Sequence, residues 1–370
     1  MNTHASPLAG MTIDVVIPVL DPGAAGAHTM ALAEVLAAAG ATAEVFADEV
    51  RPRYAGQARS LDEQEQTLTA RRPDLIVYQS AIGADAGDHV VRLGVPVVVN
   101  DHNLTPPHYF APYEPWIADG LVRGLAQLRI FGREAAGAVC ASAFNASGCI
   151  AAGIDRTLVA PVLFTPLTND PDAGVTERLR GDGASTWLFV GRICPNKAQH
   201  DVVTALAAYR HAFDPTARLV LVGGVTSPGY ERALVAHISR LGLRDAVTLT
   251  GAVDDETLAA HFAAADVFVS LSEHEGFCVP IVEAWHHGLP VVAFATAAVP
   301  ETVGGAGLLL ANKTSPGFVA AAVARVVDDP SLAARLIAAG RDRFATHFAP
   351  APARAANLAA FEQAAGWLRA

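Results

Sequence analysis

The sequence predicts an α/β fold built from two doubly wound domains, each with a parallel sheet that opens onto a shared cleft. Its 370 residues suggest two domains, and 52% of them are hydrophobic while 17% are charged, which supplies two cores. Short runs rich in β-branched residues alternate with Ala- and Leu-rich helical stretches along the chain, which is typical of βα units. A polar stretch with Pro, Asp and Gly at 165–183 divides this rhythm into two similar halves.

Each half contains six predicted strands. In the first half they are Thr12–Leu20, Thr42–Phe46, Leu75–Tyr78, Val95–Asn100, Ala138–Ala141 and Leu158–Val162. In the second half they are Thr186–Val190, Arg218–Val222, Val247–Thr250, Val267–Ser270, Val291–Phe294 and Gly307–Leu310. Helices are predicted at His28–Ala39, Asp201–Arg210, Ser331–His347 and Ala351–Ala370. The predicted domains are therefore 1–165 and 184–348, with a linker at 166–183 and a C-terminal helix at 349–370 that could pack back on the first domain.

Composition excludes several classes of function. A formal net charge of −11 argues against nucleic acid as a partner. The four cysteines form no C-x-x-C pair, which favours a reducing compartment and no zinc site. Residues 1–10 lack the pattern of a signal peptide, and no run of about 20 apolar residues predicts a membrane span. We therefore expect a cytoplasmic protein, with peripheral contact at the inner face of the membrane left open.

Two cations follow the first strand of the second half. Gly191 ends the strand, and Arg192 and Lys197 stand before the next predicted helix. Glycine lets a ligand approach the backbone, and guanidinium and ammonium groups at a strand-to-helix turn suit phosphate oxygens. The spacing alone is equally consistent with a solvated surface loop. Only two lysines, Lys197 and Lys313, occur in the chain, which favours a specific role for Lys197.

The segment after the strand Val267–Ser270 carries two glutamates eight positions apart. Glu275 is followed by Gly276 and by a predicted helix start at Phe277, Cys278 and Val279, with Glu283 about two turns further on. Unpaired N–H groups at a helix start bind a diphosphate, and an acidic residue such as Glu283 can accept the two hydroxyls of a ribose. Acidic residues are also common at helix starts for local reasons, and Glu273 is interpreted that way.

These residues resemble a known family. The segment Glu275–Glu283 is similar to the E-x7-E motif of retaining glycosyltransferases of family 4, which have the GT-B fold of two Rossmann-like domains, and Arg192 with Lys197 resembles that family's donor-phosphate pair. The segments 288–292 and 299–303 resemble the strand and loop that follow this motif. Segments 101–106 and 142–145 resemble a subgroup linked to bacterial surface polysaccharides. The resemblance covers nearly the whole chain.

The resemblance implies a role for each matching residue. Arg192 and Lys197 would hold the donor diphosphate, Glu275 the hydroxyls of the donor sugar, and Glu283 the ribose. The backbone N–H groups of the residues after Gly276 would reach the phosphate or the sugar. His102 would lie near the primary hydroxyl of the sugar, and Gly26 in the turn after the first strand would let the first domain close on the phosphates. Cys278 departs from the small residue common at its position and would narrow the sugar pocket.

The expected function is therefore retaining transfer of a hexose from a UDP- or GDP-sugar to a hydroxyl of a glycan, glycolipid or small-molecule acceptor. The catalytic residues would be Glu275, Arg192, Lys197 and His102, with the nucleotide sugar as co-substrate and no further cofactor. Asp170-Pro171-Asp172, the only Asp-x-Asp triplet, falls in the predicted linker, so we expect no metal. A nucleotide-sugar 2-epimerase of similar fold and a binding protein without turnover are the alternatives. The sequence does not identify the base, the sugar, the acceptor or the oligomeric state.

Overall fold

The computed structural model describes residues 6–168, 170–181 and 183–369, and it divides the chain into two compact units. The first unit comprises 1–107, 117–165 and 347–370, and the second comprises 108–116 and 166–346. The first five residues of the first predicted domain, two residues of the predicted linker and the last residue of the predicted C-terminal helix lie outside the described residues: Met1 to Ala5, Asn169, Asp182 and Ala370.

The first unit contains a parallel sheet of seven strands with helices on both faces. In chain order its elements are β1 (Thr12–Leu20), α1 (Ala24–Ala38), β2 (Thr42–Val50), β3 (Arg59–Ser60), α2 (Leu61–Thr67), β4 (Leu75–Ser80), α3 (Asp85–Arg92), β5 (Val97–Asp101), α4 (Pro115–Glu134), β6 (Gly137–Cys140), α5 (Ala143–Ala151) and β7 (Thr157–Val159). The strand order is β3-β2-β1-β4-β5-β6-β7. Both faces of this sheet are buried. Val15 and Ile17 of β1 pack in the hydrophobic cluster on one face, and Val16 packs in the cluster on the other.

The second unit contains a parallel sheet of six strands. Its elements are α6 (Ala173–Arg180), β8 (Thr186–Val190), α7 (Gln199–Ala212), β9 (Arg218–Val222), α8 (Pro228–Arg240), β10 (Val247–Gly251), α9 (Asp255–Ala264), β11 (Val267–Ser270), α10 (Val279–His286), β12 (Val291–Phe294), α11 (Val299–Val303), β13 (Leu308–Leu310), α12 (Pro316–Val327) and α13 (Pro330–Arg343). The strand order is β10-β9-β8-β11-β12-β13. The predicted class of two doubly wound α/β domains is confirmed.

Each sheet has one point where the strand order reverses direction. In the first sheet β1 pairs with β4, with Val16 opposite Tyr78. In the second sheet β8 pairs with β11, with Leu188 opposite Phe268. Loops that leave the carboxyl ends of such neighbouring strands run to opposite faces of the sheet and leave a crevice, where open α/β sheets bind their ligands. The topology therefore directs attention to the loops after β1, β4, β8 and β11.

Several predicted boundaries were wrong. The strand predicted at Thr42–Phe46 continues to Val50, and the one predicted at Leu158–Val162 ends at Val159. The predicted linker contains the helix α6, because the Asp172 carboxylate accepts the Val175 N–H at 2.7 Å and caps its first turn. The helix predicted to end at His347 ends at Arg343 and continues as one wider turn, Phe344–Phe348.

The last helix, α14 (Pro350–Gly366), belongs to the first unit. Phe361 is fully buried in the same cluster as Val15. Asn357 donates a hydrogen bond from Nδ2 to the Pro161 carbonyl at 2.9 Å, and Arg354 pairs with Glu34 at 2.6 Å. None of the helices in the described ranges is long and apolar enough to span a membrane.

Candidate functional site

An ion pair between Lys197 and Glu275 stands at the point where the second sheet reverses direction. Lys197 ends a short 3-10 turn between β8 and α7, and Glu275 lies in the loop between β11 and α10. The Lys197 ammonium nitrogen is 2.7 Å from each carboxylate oxygen of Glu275. The two side chains are only 16% and 7% exposed. Two residues predicted to act on one ligand are thus in direct contact, although 78 positions separate them in the chain.

The charge of Lys197 is fixed by its surroundings. Burial lowers the pKa of Lys197, but the Glu275 carboxylate, the largest of the opposing contributions, raises it, and the net pKa lies above its ordinary value. Lys197 is therefore an ammonium ion at neutral pH. Burial raises the pKa of the neighbouring Cys194 and Cys278 thiols, so neither is a reactive thiolate.

The loop that carries Glu275 is held by backbone hydrogen bonds to its neighbours. The Glu273 N–H donates to the Asn196 carbonyl at 2.8 Å, and the Asn196 amide donates from Nδ2 to the His274 carbonyl at 3.2 Å. The Glu275 carbonyl accepts the Ala298 N–H at 3.2 Å. Because Asn196 directly precedes Lys197, these bonds fix the distance between the two charged side chains. The site is therefore preorganised on one side by the turn after β8 and on the other by the loop after β12.

The start of α10 differs from its prediction. The helix begins at Val279, and Cys278 precedes it as the N-cap in a left-handed conformation, with φ at +74°. Gly276 and Phe277 are buried in the preceding loop. Pro280 has no N–H, and the Ile281 N–H donates to the Cys278 carbonyl at 3.1 Å. Any phosphate contact from the helix start would therefore come from the amides of residues 277–279 rather than from the first full turn.

Glu283 lies in the middle of α10 and is half-buried. Burial, with a smaller contribution from the negative charge of Asp255, raises the pKa of Glu283 to about 7. A carboxylate held near its titration point accepts hydroxyl hydrogen bonds readily, because such bonds stabilise its charged form. This environment suits the predicted contact with a ribose, and that role stays a prediction.

Gly191 and Arg192 follow directly on the strand β8. The side chain of Arg192 is exposed, while the Gly191 N–H donates to the Val222 carbonyl at 2.9 Å. The Arg192 carbonyl accepts a hydrogen bond from Gln199 Nε2 at 2.8 Å, which fixes the backbone but leaves the side chain in solvent. Arg192 is therefore a solvated cation close in sequence to a fixed one, Lys197.

Lys313, the second lysine, is a feature whose role the sequence did not reveal. Its ammonium nitrogen lies 2.6 Å from Asp201 Oδ2, 2.6 Å from Glu273 Oε1 and 2.8 Å from the Leu271 carbonyl oxygen. These three acceptors match the three hydrogens of an ammonium group. Lys313 thereby joins the first turn of α7 to the loop after β11 and leaves no hydrogen for a ligand.

A polar cluster occupies the carboxyl ends of β4 and β5 in the first unit. His102 Nε2 is 2.6 Å from Gln79 Oε1, so the ring carries its proton at Nε2 and presents Nδ1 as an acceptor. Burial, followed by the neighbouring His28, holds the pKa of His102 well below its ordinary value. His102 is thus a neutral hydrogen-bonding group, which is compatible with its predicted contact to a sugar hydroxyl.

His28 is a member of this cluster that the sequence did not single out. Its ring lies 4.9 Å from that of His102, edge to face. The Leu163 N–H donates to His28 Nδ1 at 2.9 Å, so Nε2 carries the proton and donates to Asn100 Oδ1 at 2.7 Å. Burial lowers the pKa of His28 to about 4, and the ring is neutral. No pattern in the sequence marks His28, because its partners come from two distant segments, one at the end of β5 and one after β7.

The sequence suggested that Gly26 lies in the turn between the first strand and the first helix, but the structure places it inside the helix. It lies in the first turn of α1, which begins at Ala24. A Cβ atom at Gly26 would be 1.9 Å from the Asp21 carbonyl oxygen. The close approach of this helix to the end of β1 therefore explains the glycine. Its predicted part in closing on phosphates stays a prediction.

The described residues contain no group of three or more His, Cys, Asp or Glu side chains that could hold a metal ion. Asp170 and Asp172, the triplet considered above, flank Pro171 before α6, and Asp172 caps that helix. The expectation of a metal-independent reaction is not tested by this observation.

The second half of the chain matches a known protein family. Residues 177–343, which contain Arg192, Lys197, Glu275 and Glu283, match the model described as Glycosyl transferases group 1. The matched segment is a little under half of the chain. The matched segment runs from within α6 to the end of α13 and so contains both residues of the Lys197–Glu275 pair.

The chain is also similar in sequence to named glycosyltransferases. The chain is 36% identical over 179 residues to a GDP-mannose-dependent alpha-(1-6)-phosphatidylinositol monomannoside mannosyltransferase of Mycobacterium tuberculosis, an alignment that covers 46% of this chain and 45% of the relative. It is 37% identical over 155 residues to D-inositol 3-phosphate glycosyltransferase 2 of Catenulispora acidiphila, covering 40% and 36%. The chain thus spans less than half the length of either relative.

The crystal structure of Anabaena Alr3699/HepE in complex with UDP and glucose matches 93% of this chain and 97% of that one, with a TM-score of 0.75 at 20% identity. At that identity the likeness shows the fold alone. The predicted GT-B fold is confirmed, and the group 1 site lies within it.

Proposed function

We propose that this protein is a retaining glycosyltransferase that moves a hexose from a UDP- or GDP-sugar to a hydroxyl group of a glycan, glycolipid or small-molecule acceptor, without a metal ion. The observation that carries the proposal is the Lys197–Glu275 pair at the reversal point of the second sheet. It places one fixed positive charge and one carboxylate in the crevice where open α/β sheets bind ligands.

The charges divide the work of such a reaction between them. When the bond between the anomeric carbon and the phosphate oxygen breaks, negative charge develops on the departing diphosphate. Lys197 is fixed as an ammonium ion, and the exposed Arg192 precedes it in the same loop, so both could stabilise that charge. Glu283 in α10 would receive the ribose hydroxyls, and the amides of residues 277–279 would contact the phosphate or the sugar.

Glu275 is suited to hold sugar hydroxyls and poorly suited to attack the sugar. Both of its carboxylate oxygens lie 2.7 Å from the Lys197 ammonium. Such pairing stabilises the carboxylate and weakens it as a nucleophile. The proton of the acceptor would then pass to the leaving diphosphate, so that the new glycosidic bond forms on the face that the leaving group vacates.

The names of the relatives support the choice of donor and acceptor class. One relative is named for GDP-mannose as donor and a phosphatidylinositol monomannoside as acceptor, and the solved structure of similar fold was obtained with UDP and glucose. Both fit a diphosphate at Lys197 and a hexose at Glu275. A cytoplasmic protein acting on a polysaccharide or glycolipid precursor is consistent with these names.

The proposal is tested by binding and by turnover. Uridine, guanosine and thymidine diphosphates are screened first by thermal shift, since a ligand at a hundredfold excess over its dissociation constant stabilises the folded state by about 2.7 kcal/mol. The sugar nucleotide of the stabilising base is then incubated with candidate acceptors. We expect Glu275→Gln to lower turnover about 10- to 150-fold, the equivalent of one hydrogen bond to a charged group, while diphosphate binding survives.

Glu256→Gln provides the matched control, because Glu256 is exposed in the first turn of α9. Undiminished turnover by Glu275→Gln would refute the assignment of the site. A new sugar isomer formed without any acceptor would instead identify an epimerase.

A further inference from the structure

One segment of the first half of the sequence is built into the second unit. The chain leaves the first unit at Pro107, contributes residues 108–116 to the second unit and returns at Ile117. We call residues 108–116 the crossing segment. It follows directly on the stretch that contains His102. Nothing in the hydrophobic pattern marks it, and the contacts that anchor it are distant in sequence.

Glu114 anchors the C-terminal end of the crossing segment. Its side chain is buried, and Oε1 accepts the Gly229 N–H at 2.7 Å while Oε2 accepts the Ser227 hydroxyl. Ser227 is also the N-cap of α8. A Cβ atom at Gly229 would be 3.0 Å from both Glu114 Oε1 and the Tyr113 carbonyl oxygen. A residue larger than glycine at this position would therefore require these neighbouring atoms to shift.

A second contact extends the anchor toward the ion pair. The ring of Tyr113 packs edge to face on that of Tyr230 at 5.5 Å. The Tyr230 hydroxyl oxygen lies 3.2 Å from the His200 N–H nitrogen and 2.9 Å from His200 Nδ1. His200 is in the first turn of α7, three residues after Lys197. The crossing segment is thus fixed to the same helix start that follows the candidate phosphate-binding lysine.

The other end of the crossing segment reaches the Glu275 loop. The Tyr109 ring lies 6.5 Å from the ring of His274, the residue before Glu275. Burial raises the pKa of Tyr109, and the carboxylate of Glu273 raises it further, which agrees with its place beside this loop. Tyr109 is half-buried and also packs against His108 at 4.2 Å.

We propose that Tyr109 contacts the sugar bound at Glu275 and that Glu114 is the positioning residue that holds Tyr109 there. This inference rests on the proposed function. A phenol ring combines an apolar face, on which the C–H groups of a hexose can pack, with a hydroxyl that can bond to the sugar. The contact would add to affinity for the sugar and not to affinity for the nucleoside diphosphate. Tyr109 would thereby select among sugars carried on the same nucleotide.

Calorimetry on the full chain tests this division. UDP-glucose, GDP-mannose and the free diphosphates UDP and GDP are each titrated into the wild type and four variants. The affinity for each sugar nucleotide is then compared with the affinity for its diphosphate. We expect Tyr109→Ala to weaken sugar-nucleotide binding about 3- to 10-fold and to leave diphosphate binding unchanged. Tyr109→Phe, which keeps the ring, should retain most of the affinity. Glu114→Ala should reproduce Tyr109→Ala, and Glu114→Gln, which keeps an acceptor for the Gly229 N–H, should restore most of it.

Two controls separate the possible failures. Glu134→Ala removes an exposed carboxylate at the end of α4 and should change nothing. If the wild type binds a diphosphate and Lys197→Met loses it, but Tyr109→Ala binds both sugar nucleotides like the wild type, the inference is wrong and the proposed function stands. If the wild type binds neither diphosphate nor sugar nucleotide, both are wrong. If Glu114→Ala unfolds, Tyr109→Ala and Tyr109→Phe still decide the matter.

Discussion

The carboxyl edges of the two sheets both carry polar side chains, but the side chains are neutral at one edge and charged at the other. In the first unit the cluster at the ends of β4 and β5 contains two histidines, His28 and His102, whose pKa values burial holds far below neutrality. In the second unit the cluster contains the ammonium of Lys197 and the carboxylate of Glu275 in contact. A parallel sheet thus carries a neutral polar edge in the first unit and a charged edge in the second.

This difference follows from how each edge satisfies its polar groups. His28 has a backbone donor at one nitrogen and an amide acceptor at the other, so a second proton would have no acceptor. Lys197 keeps its proton because a carboxylate faces it. A neutral edge suits hydroxyl groups, and a charged edge suits a diphosphate. The protonation states of the two clusters are those that the proposed reaction would require.

The largest expected effect follows from removing the charge at the second edge. We expect Lys197→Met to weaken binding of UDP or GDP about 10- to 150-fold, because one charged hydrogen bond contributes about 1.5–3 kcal/mol. Isothermal calorimetry on protein shown by circular dichroism to be folded provides the measurement. Equal affinity in wild type and variant would remove Lys197 from the phosphate site.

Lys313→Met is the matched control, since it removes the other lysine of the chain. Lys313 is held by Asp201, Glu273 and the Leu271 carbonyl and has no hydrogen left for a phosphate. Lys313 is only 8% exposed while the two carboxylates are 30% and 37% exposed, so solvent compensates the carboxylates in part and the loss of stability should be about 1.5–3 kcal/mol. Nucleotide affinity should fall much less than in Lys197→Met. A fall as large as that of Lys197→Met would mean that the position of the Glu275 loop, rather than the charge of Lys197, controls binding.

The part of the site that the sequence predicts best is the one set by topology. Lys197 and Glu275 follow neighbouring strands of a parallel sheet, and such strand ends must meet at one edge. The helix α6 was missed although Asp172 supplies a capping signal, because the Pro and Gly residues around it indicate a linker. Cys278 in a left-handed conformation could not be predicted, since only glycine adopts that region readily.

The crossing segment was missed for a different reason. Glu114 and Ser227 are 113 positions apart, and their contact depends on packing between elements that no local pattern connects. The same holds for the neutral cluster, where the partners of His28 come from β5 and from the stretch after β7. Local patterns predict elements and their edges, whereas side-chain contacts across distant segments require the folded chain.

The pH dependence of nucleotide affinity should differ between the two edges, with a smaller effect than that of Lys197→Met. The pKa of Glu283 is raised to about 7, and hydroxyl donors from a ribose would lower it in the complex. Affinity should therefore be constant above about pH 7 and fall as the pH drops, by up to about tenfold per pH unit until the pKa of the complex is reached. The histidines of the first edge should contribute little near neutral pH, because burial lowers the pKa of His28 to about 4 and holds that of His102 well below its ordinary value.

The phosphates of the ligand titrate near pH 6 and must be subtracted. The Glu283→Gln variant retains that contribution, so the difference between its profile and that of the wild type isolates Glu283. Asp255→Asn removes a negative charge that raises the pKa of Glu283 and should move the fall in affinity to lower pH. Identical profiles for wild type and Glu283→Gln would exclude Glu283 from the nucleotide site.

The smallest effect on binding is expected at the first edge, where close packing rather than charge determines which residue fits at position 26. In Gly26→Ala the new methyl group would meet the Asp21 carbonyl oxygen, a backbone atom that cannot move freely. Overpacking of this kind costs about 1–3 kcal/mol of folding stability. Gly148→Ala is the matched control, because Gly148 is exposed in α5 with nothing within 4 Å of an added Cβ, and alanine in a helix is more stable than glycine by up to about 1 kcal/mol.

Urea unfolding measures both variants, and calorimetry then compares their affinity for UDP or GDP with that of the wild type. If Gly26 serves only the packing of α1 on the end of β1, stability falls and affinity is unchanged. If affinity falls while the free energy of unfolding is retained, Gly26 takes part in phosphate binding, as the resemblance implied, and the neutral edge is not independent of the charged one. The two measurements together decide whether the difference between the edges is also a division of function.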